Sequence, residues 1–146
     1  MLNDIRVLEI SAPETMQAGN ILAALGADVV VVEPLSGSAG RRMEPFLDET
    51  PGLERSLTWH ALNRNKRGIT LDMRSVDSRE LLSGLLTKFD IAFDASTNGM
   101  AALDDFAIPE KMVRIRIAPF GHSGPKSAYA SSDLTVMSAS WSFPGS

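Results

Sequence analysis

The sequence predicts an α/β protein whose mostly parallel sheet is flanked by helices. Strand-like and helix-like patterns alternate along its 146 residues. The run ADVVVVEP, residues 27–34, is almost continuously apolar, which is typical of a parallel strand covered on both faces. A strand and a helix precede this run, and together the three elements make a right-handed βαβ unit.

The elements of this βαβ unit follow from local patterns. Residues 5–10, IRVLEI, alternate apolar and charged side chains, which predicts the first strand. Pro13 suits the first turn of a helix, because its missing N–H is not needed there. Residues 14–26 carry apolar side chains at helical spacing, and Gly26 is well placed as the C-terminal stop.

The rest of the chain continues the alternation. Residues 69–73 alternate as a strand, and residues 75–88 form an amphipathic helix with Ser75 as its N-cap. We further predict a short helix at 56–63, a strand at 90–96, a turn and small helix at 97–105, a strand at 112–121 and a helix at 132–142.

Residues 35–52 form a long segment rich in Gly, Ser and Pro, without periodicity. Loops longer than about 12 residues are usually functional or mobile. Its stretch SGSAGRR, residues 36–42, joins glycines to two arginines but lacks the G-K-[ST] of a P-loop. Two interpretations stay open: an anion-contacting loop, or a surface loop whose glycines supply positive φ.

Composition narrows the class of protein. The net charge of −4 gives no global attraction to nucleic acid or anionic membranes. With no cysteine, disulfides, thiolate metal sites and a cysteine nucleophile are excluded. We find neither a secretory signal pattern nor an apolar run long enough to span a bilayer. We therefore predict a soluble cytoplasmic protein without nucleic-acid or membrane partners.

Familiar catalytic and metal-binding patterns are missing. The turn after the first strand reads SAPETMQAG and lacks the G-x-G-x-x-G of a standard dinucleotide site. His60 and His122 are the two histidines, and no carboxylates stand at matched spacing, so no metal site is predicted. Ser123 in GHSGP is followed by Pro125 rather than by a strand-to-helix elbow, which argues against a hydrolase triad.

The segment LNRNKRGITLDM, residues 62–73, concentrates basic side chains before a strand. Arg64, Lys66 and Arg67 precede that strand, and Arg74 follows the segment. Arginine can hold phosphate in a bidentate geometry, and lysine can hold it as a point charge. A solvated turn would have the same composition, so the residues alone leave both interpretations open.

Several segments together resemble the class III CoA-transferases, the group of formyl-CoA and carnitine CoA-transferases and of α-methylacyl-CoA racemase. The segments are IRVLEIS, LAALGADVVVVEP, SLTWHALNRNKRGITLDMRS, RELLSGLLTKFDIAFD and VRIRIAPFGHSGP. The resemblance implies a Rossmann-like large domain, a smaller domain after it, and two chains interlocked as a dimer. Residues 1–146 would be the N-terminal, nucleotide-binding part of an incomplete large domain, with the downstream remainder and the small domain absent.

The resemblance also implies a chemistry. Coenzyme A lies across the carboxyl ends of the strands, and an aspartate attacks the acyl-CoA thioester to form a mixed anhydride and then an aspartyl-CoA thioester. The acceptor carboxylic acid resolves that intermediate. The aspartate would lie downstream of Ser146, and Asp133 belongs to an earlier element, so no catalytic residue is expected here. Ser132 stands where the racemase has its histidine, which makes racemase chemistry the less favoured activity.

This sequence matches only some of the positions at which the family binds CoA. Leu71 would lie with its backbone near the adenine, and Arg74 near the nucleotide phosphates. Arg67, in the basic run, is also expected at the site. Ala95 and Ser96 begin the segment that replaces the loop covering the CoA chain in the family.

Other positions depart from the family pattern. Pro34 stands where members commonly have a basic residue that helps to hold CoA. Pro13 and Glu14 replace the AGP turn that lines the acyl site, and Asn98 and Gly99 belong to the altered loop. The basic residue expected after that loop is replaced by apolar residues around Leu103, so CoA binding is expected to be weak or lost.

Three hypotheses follow. The chain is a fragment of a CoA-transferase-like protein that moves CoA between an acyl-CoA thioester and a small carboxylic acid, and that forms a homodimer. Alternatively, it is a non-catalytic diverged copy that acts as scaffold or dimerisation partner for a complete copy. An unrelated α/β binding module is the third. None requires a metal.

Overall fold

The computed structural model describes residues 1–97, 100–130 and 132–140. Its strands are β1 (Arg6–Ile10), β2 (Asp28–Glu33), β3 (Arg67–Thr70), β4 (Ile91–Thr97), β5 (Met100–Ala101) and β6 (Val113–Ile117). Its α-helices are α1 (Pro13–Ala24), α2 (Leu57–Leu62), α3 (Val76–Leu86) and α4 (Asp133–Ser140).

Five of the strands are parallel, in the order β3-β2-β1-β4-β6. The short β5 pairs antiparallel with the end of β4. Helix α1 connects β1 to β2, and α3 carries the chain from the outer strand β3 back across the sheet to β4. This arrangement confirms the predicted α/β class with a mostly parallel sheet.

The ends of α1 follow the local signals. Pro13 is its first residue. At its end, Gly26 adopts φ +99°, a conformation that costs glycine little, and its N–H donates to the carbonyl of Ala23. The N–H of Ala27 donates to the carbonyl of Leu22 at 3.0 Å. Together these two bonds form a Schellman motif that stops the helix, as Gly26 predicted.

The two faces of the sheet bury separate apolar clusters. One face packs against α3, with Leu8, Val30, Leu82 and Leu86 at its centre. The other packs against α1 around Val7, Val29, Ala23 and Phe93. Because β2 is covered on both sides, its valines are at most 5% exposed, which explains the continuous apolar run.

The predicted strand at 69–73 is displaced toward the N-terminus. Strand β3 covers Arg67–Thr70, so Leu71 and Met73 lie beyond its end. The last paired residue is Thr70, opposite Glu33, and the N–H of Leu71 then donates to the carbonyl of Glu33 at 2.9 Å. Asp72 accepts the N–H of Arg74, and the turn that this bond closes ends the alternation.

The small helix predicted at 97–105 is wrong, as far as the described residues 97 and 100–105 show. Met100 and Ala101 form β5, and turns follow. The buried carboxylate of Asp94 accepts the N–H groups of Ala102 at 3.2 Å and Leu103 at 3.1 Å, which holds these turns against β4 instead of a helix.

The other predicted elements are present within about two residues of their predicted bounds, apart from the end of β6, and residues 141–142 of the last predicted helix lie outside the described residues. The strand predicted at 112–121 ends at Ile117, two residues before Pro119. Ser75 is the N-cap residue of α3, although its side chain makes no capping hydrogen bond. On that helix Leu82 and Leu86 are buried, whereas Val76 and Leu81 point to solvent.

Candidate functional site

The strand order reverses at the carboxyl ends of β1 and β4. From β1 the chain winds outward to β2 and β3, and from β4 it winds the other way to β6. In open α/β sheets, ligands bind in the crevice at such a switch point. The loops that follow β1, β3, β4 and β6 at this edge are therefore the first place to look for a site.

Leu71 and Arg74 lie together at the carboxyl end of β3. The turn between them is closed by Asp72, whose carboxylate lies 3.1 Å from the N–H of Arg74 and 3.0 Å from its Nε. The Arg74 side chain is 87% exposed. Its hydrogen bond holds the pKa of the Asp72 carboxyl below its usual range. The Arg74 guanidinium is therefore exposed at the carboxyl edge of the sheet, where an anionic ligand would pass.

Ala95 and Ser96 lie near the carboxyl end of β4, beside the switch point. Ala95 is in register with Ile117 of β6, and Ser96 with Ala101 of β5. Because β2 and β1 stand between β3 and β4, this position lies roughly 14 Å from the turn after β3, at the usual strand spacing. The rest of the altered loop, Asn98 and Gly99, lies outside the described residues.

Arg67 lies at the opposite end of β3 from Leu71. It is the first residue of that strand, and its guanidinium forms a bidentate pair with Asp28 at 2.9 and 2.6 Å. The structure thus does not bring Arg67 to the edge that carries Leu71 and Arg74. A CoA contact from Arg67 remains a prediction that would require the ligand, or a second chain, to reach the amino ends of the strands.

Lys66 points into the interface between the sheet and α1. Its Nζ donates to Glu9 Oε2 at 2.8 Å and to the carbonyl of Met16 at 2.9 Å, while the hydroxyl of Thr15 lies 3.1 Å from the other oxygen of Glu9. The Lys66 and Glu9 side chains are 1% and 0% exposed. Burial raises the pKa of Glu9 and lowers that of Lys66, and their mutual hydrogen bond opposes both shifts.

Gly19 makes room for this buried ion pair. A Cβ at Gly19 would lie 1.8 Å from Glu9 Oε2 and 2.9 Å from Lys66 Nζ. Sequence reasoning identified Lys66 as part of a basic run and missed Glu9 and Gly19 as its partners. The one signal in the sequence was Glu9, an acidic residue in a strand next to the continuously apolar strand. Its partner Lys66 lies 57 positions further along the chain, so local spacing could not indicate the pairing.

The arginines of SGSAGRR are engaged within the protein. Arg41 forms a bidentate pair with Glu33 at 2.6 and 2.8 Å and lies over the ring of Trp59 at 4.4 Å. Arg42 donates to the carbonyls of Ser36 and Ser38. Burial raises the pKa of Glu33, but the hydrogen bonds from Arg41 and the Ser38 N–H outweigh it and lower the pKa. These contacts favour the surface-loop interpretation.

A cleft of about 560 Å³ opens at the carboxyl edge beneath α4. Its lining comes from the start of α1, the long loop, the end of β6 and α4, including Glu14, Met43, Ile117 and Val136. Just before α1, the hydroxyl of Ser11 is buried without a hydrogen-bond partner among the described residues. The cleft thus adjoins the switch point and is lined mainly by apolar side chains.

Neither histidine joins a metal-binding group. His60 Nε2 lies 3.0 Å from the carbonyl of Glu54, and His122 lies on an exposed turn. The described part of the chain contains no cluster of three or more His, Asp or Glu side chains arranged to hold a metal ion. Among the same residues, no helix combines the length and apolarity needed to cross a bilayer.

The strand order, the crossover helices and the loops gathered at one edge define a Rossmann-like α/β domain. The chain belongs to CoA-transferase family III, whose family model matches residues 2–143. A CaiB/BaiF family protein from Brucella suis has a similar structure, with a TM-score of 0.78 and 29% sequence identity over 94% of this chain.

Two curated relatives also match most of this chain. The BbsE subunit of succinyl-CoA:(R)-benzylsuccinate CoA-transferase from Thauera aromatica is 30% identical over 92% of this chain. The succinyl-CoA–D-citramalate CoA-transferase from Chloroflexus aurantiacus is 32% identical over 85% of it. The chain spans about a third of their lengths, 34% and 32%, and 38% of the Brucella suis structure.

Proposed function

We propose that this chain supplies the CoA-binding edge of an enzyme that moves CoA from an acyl-CoA thioester to a carboxylic acid. Residues 1–146 would be the N-terminal part of its large domain. Membership of CoA-transferase family III supports the reaction class. The observation that carries the proposal within this chain is the exposed guanidinium of Arg74 beside Leu71 at the carboxyl edge.

In this proposal CoA lies along that edge. Arg74 holds the nucleotide phosphates by charge-assisted hydrogen bonds, and the backbone of Leu71 contacts the adenine. The pantetheine arm then runs over β2 and β1 toward Ala95 and Ser96, a span of roughly 14 Å that suits an elongated ligand. The thioester would reach the switch point, next to the cleft beneath α4.

Covalent catalysis would come from polypeptide outside this chain. An aspartate carboxylate attacks the thioester carbonyl, the CoA thiolate leaves, and a mixed anhydride forms. The thiolate then attacks the aspartyl carbonyl, which releases the first acid and leaves an aspartyl-CoA thioester. The acceptor carboxylate repeats the exchange, and the new acyl-CoA departs. We place this enzyme in the cytoplasm and expect it to form a homodimer.

Isothermal titration calorimetry with CoA tests the nucleotide site. We expect micromolar binding that Arg74→Ala weakens at least about tenfold, because one guanidinium–phosphate contact is lost. Arg6→Ala is the matched control: Arg6 is an exposed arginine at the amino end of β1, so its loss removes the same charge from the wrong edge. No binding at millimolar CoA, or equal losses in both variants, would overturn the proposal.

A second candidate function is a non-catalytic copy that pairs with a complete one. It is favoured by Pro34, which follows β2 where the family commonly has a cation, and by the apolar face that β6 exposes through Val113 and Ile115. Transferase assays on the protein encoded by the whole reading frame separate the two functions. Turnover would establish an enzyme, whereas a frame without further coding sequence would favour the pairing role.

A further inference from the structure

The cleft beneath α4 has a composition that selects among ligands. Its apolar lining comes from separated parts of the chain, with Met43 from the long loop, Ile117 from the end of β6 and Val136 from α4. Among the described residues that line it, Glu14 is the only one with a charged side chain, and it is anionic. The volume of about 560 Å³ lies within the range of small-molecule sites.

The position of the cleft determines which part of CoA would meet it. With the nucleotide at Arg74, an extended CoA molecule runs along the carboxyl edge from β3 toward β1 and β4. The cleft begins at Pro13, directly after the β1 loop, and continues past the end of β6. The thioester end is therefore the part of the molecule that arrives at its mouth, and the acyl group is the part that enters.

We propose that this cleft receives the acyl group and selects apolar acyl groups over those that end in a second carboxylate. This inference rests on the proposed function, because it takes the CoA nucleotide to lie at Arg74. Each methylene that leaves water for an apolar lining raises affinity about fourfold. A terminal carboxylate loses its hydration there and meets the like charge of Glu14, without a cation among the described lining residues to compensate.

Four ligands test the selection by calorimetry: CoA, butyryl-CoA, succinyl-CoA and hexanoyl-CoA. Butyryl and succinyl groups have the same number of carbons and differ in whether the end is a methyl group or a carboxylate. We expect butyryl-CoA to bind about tenfold tighter than succinyl-CoA. Hexanoyl-CoA has two more methylenes and should bind about 16-fold tighter than butyryl-CoA. Glu14→Gln should shrink the first ratio, chiefly by strengthening the binding of succinyl-CoA.

A pair of variants on α4 locates the acyl group. Val136→Thr keeps the shape of a half-buried lining residue and adds a hydroxyl, so it should weaken hexanoyl-CoA several-fold without changing CoA affinity. Leu134→Thr is the control, since Leu134 is 77% exposed and does not line the cleft. Circular dichroism of both variants confirms that α4 is retained.

The outcomes separate this inference from the proposed function. Equal affinities for all four ligands, with CoA binding intact and sensitive to Arg74→Ala, would overturn the acyl selection alone. Succinyl-CoA binding as tightly as butyryl-CoA would do the same. Failure of every ligand to bind at millimolar concentration would overturn the proposed nucleotide site, and the inference with it.

Discussion

The halves of the sheet on either side of β1 are covered to different extents. Toward β2 and β3, the face that meets α1 is closed, and its charges are paired: Lys66 with Glu9, and Arg41 with Glu33. Toward β6, the same face leaves Val113 57% and Ile115 38% exposed. The difference arises because α1 contacts β1, β2 and β4, whereas Val113 and Ile115 lie on the edge strand beyond β4.

This contrast indicates where the chain is self-sufficient. The β1-β2-β3 half pairs its buried charges internally, as an independently stable core requires. The β6 half presents alternating apolar side chains on an edge strand, which is the kind of surface that packs against more polypeptide. We expect the uncovered half to meet the remainder of a longer protein or a second chain. The following predictions test the two halves separately.

The largest effect is expected from Lys66→Met. Removing the cation leaves the Glu9 carboxylate buried without its partner, which should lower the free energy of unfolding by about 3–5 kcal/mol in urea titrations. The loss should shrink as the pH falls and Glu9 becomes protonated, because burial already raises its pKa.

Two controls accompany Lys66→Met. Arg67→Ala removes a neighbouring cation whose pair with Asp28 is exposed, and it should leave unfolding nearly unchanged. Replacing Glu9 and Lys66 together by methionine should recover most of the stability, since no unpaired charge remains. A single Lys66→Met variant as stable as the wild type would contradict the role of the buried pair.

Replacing each of two helical glycines by alanine should change the stability of the protein in opposite directions. Gly19→Ala places a methyl group against the pinned carboxylate of Glu9 and should cost about 1–3 kcal/mol. Gly84→Ala on α3 meets nothing within 4 Å and should stabilise by about 0.5–1 kcal/mol, because alanine is the better helix former. Thermal unfolding of the two variants gives the sign of each change in stability. A stabilising Gly19→Ala would show that the ion-pair cluster is loosely packed.

A smaller effect, visible in acid, is expected at Glu33. Its pKa in the folded protein is lowered, so its stabilising contribution is complete above the unfolded value of about 4.5 and is lost as the pH falls below it. Glu33→Gln cannot titrate, and its stability should therefore fall less steeply between pH 5 and pH 3. Urea midpoints at each pH measure the two slopes, and parallel slopes would exclude Glu33 as a source of acid sensitivity.

The smallest change in stability is expected on the uncovered half. Converting Val113 and Ile115 to threonine should alter the free energy of unfolding by less than about 0.5 kcal/mol, because both side chains are already solvent-accessible. Light scattering should nevertheless show less self-association. The control converts Val76 and Leu81 of α3, which are exposed elsewhere. A clean monomer before any substitution would contradict the expectation for the β6 face.

Much of the fold could be predicted because its signals are local. The start of α1 at Pro13, its end before Gly26 and the buried strand β2 each depend on the backbone preferences or apolar periodicity of a few neighbouring residues. The boundaries failed where a distant group decided them. Asp94 holds the turns at Ala102 and Leu103, and the end of β2 sets the end of β3.

The candidate site shows the same division. The class of fold, the resemblance to CoA-transferases and the basic residues around β3 all follow from the amino-acid sequence alone. The tertiary structure assigned their roles: Lys66 is buried against Glu9, Arg67 is paired at the amino end of β3, and Arg74 is paired with Asp72 yet exposed at the carboxyl edge. Charge and spacing are local properties, whereas burial and the edge that a side chain faces depend on strand order and register.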